Sequence, residues 1–222
     1  ALRNKWGGDF SNNVRNPEQE NYREAVRWLV TKGYLVFGTG ETDSKIFSDI
    51  KGFFHARQID IDQDLLNLYL LTNSDFFVGV HSGPHVLAES AGIPTVICDS
   101  WPFYLGAYQT SSLVLHKHIS DEKSGRRLSM VQAFSEYPEL FFGFGYRRLG
   151  VALVSNSSEE IRLAVKEGVE LADGLTMVTA RDKRLIAAWE QTLDKRSVAY
   201  WQRSRPPLFR LREMEPDLPP VA

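Results

Sequence analysis

Ser82, Gly83, Pro84 and His85, with Glu89 about two helical turns further on, are the residues whose types and spacing best suit binding chemistry. They follow a short apolar run, Phe76 to Val80. A serine before a glycine and a proline suits a sharp turn that opens a helix, because serine can cap and proline is tolerated where no intrahelical bond is lost. The first N–H groups of such a helix have no partner within it, and its positive dipole end faces outward. That is a site for a phosphate or diphosphate. A carboxylate at Glu89 can then reach the hydroxyls of a ribose whose phosphates rest on the turn. The same turn also serves purely structural ends in many α/β proteins. The counter-charge for a diphosphate is sought in Lys117, within His116-Lys117-His118, and in Arg3 and Arg15 near the start of the chain. A lysine neutralises phosphate as a point charge, although three titratable groups in a row also suit a solvated edge. The histidines lack the Cys, Asp or Glu spacing of a metal site.

The elements that must position these residues follow from periodicity. Phe76 to Val80 reads as a strand buried on both faces, the next helix runs to Ala91 and stops at Gly92, and Ile93 to Cys98 resumes as a strand. Upstream, Glu20 to Lys32 carries a helical stripe ended by Gly33, and Tyr34 to Phe37 is a strand that meets Gly38-Thr39-Gly40. Ser44 to Lys51 reads as a short helix, and Phe53 to Ile59 as strand or loop. Asp64 to Thr72 reads as a helix that Leu65, Leu68, Tyr69 and Leu71 pack firmly on the sheet. Alternating helices and strands specify an α/β fold, a Rossmann-like parallel sheet with helices on both faces, and place ligands at the carboxyl ends of the strands. Ala1-Leu2-Arg3 reads as the end of a clipped first strand, which would set Arg3 and Arg15 on the same edge as Ser82. The alternative is a disordered arm. The start of the chain suggests a fragment of a longer protein.

Beyond Pro102 the chain changes character. An aromatic and polar loop, Phe103 to Ser112, precedes a short strand at Leu113 to Leu115. Asp121 to Arg127 is a charged turn, and Ser129 caps a helix through Phe134. The aromatic segment EYPELFFGFGYRRLG suits either core or a partner surface. After a strand at Val151 to Val154, Ser157 and Glu160 form a capping box for a helix that buries Ile161, Ala164, Val165, Val169 and Leu171 and ends at Asp173-Gly174. A C-terminal amphipathic helix runs from about Ala180 to Gln202. The five prolines after Arg203 predict an extended, solvated tail. The expected organisation is a nucleotide-sugar-binding domain over residues 1–174, the C-terminal helix over 175–204, packing on that domain or on an absent N-terminal half, and the Pro-rich tail over 205–222.

At 222 residues the chain can bury a substantial core, and a net charge of -2 offers no field for a nucleic-acid partner. The single cysteine, Cys98, reads as inert packing in a strand, so no disulfide forms within one chain, which favours a reducing compartment such as the cytoplasm. No apolar run approaches the roughly 20 residues that span a bilayer. Arginines 203, 205, 210 and 212 make the tail basic, which suits solvent or, with weaker support, an anionic membrane face.

Taken in order, Arg15-Asn16 and Tyr22, the Gly33-Tyr34 helix end, the SGP turn, Gly92-x-Pro94, the KSGRRLS segment from Lys123 to Ser129 and the SNSSEEI segment ending at Ile161 resemble the nucleotide-binding C-terminal half of bacterial glycosyltransferases of the GT-B fold. The likeness covers roughly Arg3 to Asp173. The SGP turn is also similar to the diphosphate-binding turn of the lipopolysaccharide heptosyltransferases, where His81 here replaces an acid, so that acid's role does not carry over. Ser82-Gly83 with a following glutamate is similar to the nucleotide-sugar 2-epimerases, without their double glycine. The resemblance implies transfer of a sugar from a nucleotide-diphosphate sugar to a glycan or other cell-surface acceptor. It also implies a missing acceptor-binding N-terminal half, no separate cofactor, and a catalytic base from that missing half or from the cleft between the halves. A non-catalytic nucleotide- or glycan-binding module and an epimerase are the alternatives.

Overall fold

The computed structural model describes residues 17–39, 45–102, 107, 109–138, 140, 146, 148–193 and 204–220. A short 3-10 turn, Gln19–Tyr22, leads into helix α1, Arg23–Thr31, which buries Ala25, Val26 and Leu29. Strand β1, Val36–Gly38, pairs in parallel with β2, Phe53–His55. The residues between them from Lys45 onward form turns where a short helix was expected, with Phe47 in the left-handed region. Helix α2, Gln63–Asn73, then leads to β3, Phe77–Gly79; helix α3, Gly83–Ser90, to β4, Thr95–Ser100; and β5, Leu113–His116, completes a parallel sheet in the order β3-β4-β5.

Alternation along β4 sets the layers. Val96 and Cys98 point to one face, where they join Leu113 and Leu115 of β5, Ala25 and Leu29 of α1, and Ile161, Ala164 and Val165 of α5, Ser158–Ala172. Ile97, Val114 and Phe77 point to the other, and on that side the Thr95 hydroxyl meets Glu89 of α3. Every residue of β4 is buried, as for a strand covered on both faces. Gly168 lets α5 seat on the sheet: a Cβ there would come within 2.3 Å of Val96 and 2.7 Å of Phe76. The fold is therefore mixed α/β, with parallel sheets flanked by helices in a manner compatible with a Rossmann-like architecture.

Helix α2 departs from expectation. Leu66 and Leu71 are its buried residues, while Leu65, Leu68 and Tyr69 stand 62, 47 and 62% exposed. The helix packs against α3 and turns its other apolar stripe outward.

A second region, built on antiparallel pairing, was not foreseen. Strand β6, His118–Asp121, lies between β7, Arg127–Leu128, and β8, Val151–Val154. Around it pack α4, Met130–Glu136, with the Ser129–Gln132 capping box, α6, Ala180–Thr192, and α7, Leu208–Met214. Their shared core includes Trp101, Ile119, Val151, Leu185, Trp189 and Leu211. The expected extension of α6 to Gln202 falls on residues 194–203, outside the described residues.

The C-terminal segment is docked where a solvated tail was expected. The Val114 N–H donates to the Arg205 carbonyl beside β5 at 3.0 Å, Glu167 accepts from the Arg205 guanidinium at 2.6 Å and from the Leu208 N–H at 2.7 Å, and Arg212 makes two bonds to Asp182. Pro206-Pro207 leads into α7, because a proline at the threshold of a helix lacks only an N–H that would have no partner there. No helix among the described residues is long and apolar enough to cross a membrane.

Candidate functional site

In a parallel sheet the carboxyl ends of the strands lie on one edge. Here that edge gathers the turn from β3 into α3, the end of β4 at Asp99 and Ser100, and the end of β5 at His116 and Lys117. Ser82, Gly83, Pro84, His85 and Lys117 thus share one edge. Arg3 and Arg15 lie outside the described residues.

The turn is held from within. The Ser82 hydroxyl donates to the Val80 carbonyl at 3.1 Å, and the Ser82 N–H donates to Nδ1 of His85 at 3.1 Å. The ring of His85 stands edge-on to His81 with centroids 4.7 Å apart. With the Ser82 N–H engaged, Pro84 lacking one and the His85 N–H facing the Ser82 side chain in a capping box, the donor the turn can offer a ligand is the N–H of Gly83. Among the described residues Gly83 has no crowding to relieve: a Cβ built there meets nothing within 4 Å, and its φ is not positive. Packing therefore gives no reason for glycine at this position, and the approach of a ligand to bare backbone would.

Glu89 is placed otherwise. Its Oε1 accepts from the Thr95 hydroxyl at 3.2 Å, at the amino end of β4, and its Oε2 lies 3.9 Å from His85 Nε2. It is 7% exposed. Helix α3 runs from the carboxyl edge toward the amino edge, so two turns of helix carry Glu89 away from Ser82 and into the packing between α3 and β4.

No family model, curated protein or solved structure matches this chain.

The residues that sequence reading passed over lie at the end of β4. An extra residue between Ile97 and Ser100 bulges the strand against β5, with Asp99 at φ 50°. A bulge of this kind re-aims a side chain. Asp99 and Asn156 exchange two bonds, Asp99 N–H to Asn156 Oδ1 at 2.8 Å and Asn156 N–H to Asp99 Oδ1 at 2.7 Å. Asn156 also donates to the His116 carbonyl and accepts, through its own carbonyl, from Asn21. Lys117 is buried rather than solvated, with Nζ donating to Ser155 Oγ at 2.9 Å and lying 3.5 Å from Asp99 Oδ1. Asp99 Oδ2 and the Ser100 hydroxyl make no hydrogen bond among the described residues.

Burial sets the electrostatics. It raises the Asp99 carboxyl above its usual range, against the opposing charge of Lys117 and the Asn156 N–H. It pushes His116 down to about 3, helped by the charges of His81 and Arg210, so the imidazole is neutral at pH 7. Glu160, the partner of Ser157 in the capping box, behaves oppositely. Partial desolvation would raise it, but bonds from His118 and Ser157 and the charge of Arg210 hold it well below the usual carboxylate range. His118, Arg127 and Arg210 all converge on that carboxylate, at 2.9, 3.3 and 2.8 Å. Among the described residues no group of three or more His, Cys, Asp or Glu side chains is arranged to hold a metal ion. In sequence, the signals for this cluster are Asp99-Ser100 ending an apolar run and Asn156 two residues before a helix.

Proposed function

We propose that this chain is the donor-binding half of a glycosyltransferase, which holds a nucleotide-diphosphate sugar at the carboxyl edge of β3-β4-β5 for transfer to a glycan or other cell-surface acceptor bound by a further, N-terminal half. The single observation that carries the reading is Gly83, a glycine that neither φ nor packing among the described residues requires, at the start of a helix that opens from the carboxyl edge of a parallel sheet. A diphosphate there takes the Gly83 N–H and the dipole of α3. The leaving diphosphate would be stabilised by the same groups as charge develops on it. In this reading the ribose is not assigned to Glu89, whose carboxylate is turned onto Thr95.

The test is a thermal-shift screen of uridine, guanosine and cytidine nucleotide sugars, since a ligand that binds only the folded state raises its apparent stability. At least one should raise the melting temperature, and Gly83→Val should abolish that rise in a folded protein. Absence of any shift, or an unchanged shift in the variant, overturns the reading.

One observation favours a second reading, a binding module without chemistry of its own. His81, His85, Asp99, His116 and Lys117 are each at most 7% exposed, so none stands at the edge as an open general base. Nucleotide binding without nucleotide release, in the full-length protein with any acceptor, would select it.

A further inference from the structure

A cavity of about 310 Å³ opens beside Lys117, at the seam between the parallel and antiparallel regions. That lies at the lower end of the roughly 300–1,000 Å³ range of ligand pockets, the size for one small molecule. Three segments distant in sequence build it: His116 to Ile119 where β5 passes into β6, Arg127 to Gln132 where β7 passes into α4, and one face of α7 and the turn after it. Positions 210, 213, 214 and 217 supply that last wall, a spacing that keeps them on one side of a helix.

The charges around the cavity are already paired. Arg210 donates to Glu213 at 2.7 Å and to Glu160 at 2.8 Å, Arg127 to Glu160 at 3.3 Å, and Lys117 lies 3.5 Å from Asp99. Gln132 donates to Asp217 at 2.9 Å. An added anion would compete with carboxylates already in place and gain little. Paired guanidiniums nevertheless keep further N–H groups, and paired carboxylates keep further lone pairs. The walls therefore offer donors and acceptors side by side, with Ile119, Leu128, Met130 and Met214 as apolar surface between them. A ligand whose groups each donate and accept, and which has C–H faces, matches such walls; a hydroxylated ring is that ligand. Neighbouring strands lie about 4.8 Å apart, so the end of β5 is roughly 10 Å from the turn that ends β3.

We propose that this cavity binds a single neutral sugar ring, held by Arg127, Arg210, Glu213, Asp217 and Gln132. The inference rests on the glycosyl-transfer reading in that it assigns the sugar a place; the ring comes from the donor or from the acceptor.

The experiment uses the whole chain and no nucleotide. Binding of the methyl glycosides of glucose, galactose, mannose and N-acetylglucosamine is followed by saturation-transfer NMR beside glucuronate and inorganic phosphate. At least one neutral glycoside should bind, and more tightly than either anion. Arg127→Met and Glu213→Gln, at partly exposed positions, should each weaken it about fivefold or more. Leu65→Ala, on the exposed stripe of α2, should leave it unchanged. Displacement of the glycoside by a nucleotide sugar would identify the donor's ring as the occupant, and simultaneous binding the acceptor's. No binding of any neutral glycoside, preference for an anion, or binding indifferent to both variants would overturn the inference. Nucleotide binding that persists through such a failure would leave the glycosyl-transfer reading standing, whereas glycoside binding without nucleotide binding would remove that reading and keep the pocket.

Discussion

The parallel region and the antiparallel region are assembled by different rules. In the first, each buried stripe lies on one continuous element, so that Val96 and Cys98 of β4 meet Ile161, Ala164 and Val165 of α5 as two periodic surfaces. In the second, strands of two to four residues carry polar and charged side chains, His118, Asp121 and Arg127 among them. Its core is collected from Trp101 to Met214. The first is fixed by period, the second by contacts between distant segments. They meet at Asp99, Lys117 and Asn156 and again at Glu160, and the proposed sugar site opens at that seam while the proposed donor turn lies on its parallel side.

The largest expected effect comes from breaking the seam. Lys117→Met leaves the buried Asp99 without its cation, and removing one partner of a buried pair typically costs about 3–5 kcal/mol. The urea midpoint should fall accordingly. Adding Asp99→Asn, which removes the uncompensated charge and tolerates φ 50°, should recover most of the loss. A near-neutral Lys117→Met would show that the lysine is held loosely and that the two regions are joined elsewhere.

Next in size is a test of the docked C-terminal segment. Leu211 on α7 is fully buried, so Leu211→Ala should cost about 2–5 kcal/mol of unfolding free energy. Leu65→Ala, on the outward stripe of α2, should change stability by less than about 0.5 kcal/mol. If both leucines prove neutral, α7 is not part of the antiparallel core.

These two leucines also mark what was legible in the sequence. The order of α1, β1, β3, α3, β4, β5, β8 and α5 could be read because each carries its own period or its own cap, as Ser157 and Glu160 do for α5. The outward stripe of α2 could not, since an apolar helix does not declare which of its faces is covered. Nor could α7: the prolines that argue for extended chain are, at Pro207, the threshold of a helix. In the candidate site, the turn at Ser82–Gly83 was legible because its chemistry is local. The Asp99–Asn156–Lys117 cluster was not, because it depends on a bulge and on residues up to 57 positions apart. The placement of Glu89 against Thr95 was not legible either, for a geometric reason, the direction in which α3 crosses the sheet.

A smaller effect is expected from pH. Glu160 ties α5 to His118, Arg127 and Arg210 in the antiparallel region, and its carboxyl is held below the value of an unfolded glutamate, near 4.3. The stability it contributes is complete above that unfolded value and is lost as pH falls toward the folded one. Between about pH 5 and pH 3 the native protein should lose stability faster than Glu160→Gln. Asp99, raised by burial, titrates with the opposite sign, but it is common to both proteins and drops out of the difference. Parallel stability curves across that range would mean that Glu160 does not link the regions.

The smallest effect on the fold, and the one that bears most directly on the donor site, is expected at Gly83. Its φ is not left-handed and a Cβ would meet no atom of the described residues within 4 Å, so Gly83→Ala should hold or raise stability, by about 0.4–1 kcal/mol where the backbone is compatible. Gly168 gives the contrast. A Cβ built there would come within 2.3 Å of Val96, so Gly168→Ala should destabilise through overpacking by about 1–3 kcal/mol. Both can be measured by urea unfolding, with nucleotide-sugar binding followed by thermal shift. A glycine whose replacement does no harm to the fold and yet removes nucleotide binding would have its reason in a ligand. Should Gly83→Ala instead destabilise the chain as Gly168→Ala does, the turn is a packing element like the other, and the carboxyl edge of β3 would lose its claim to the diphosphate.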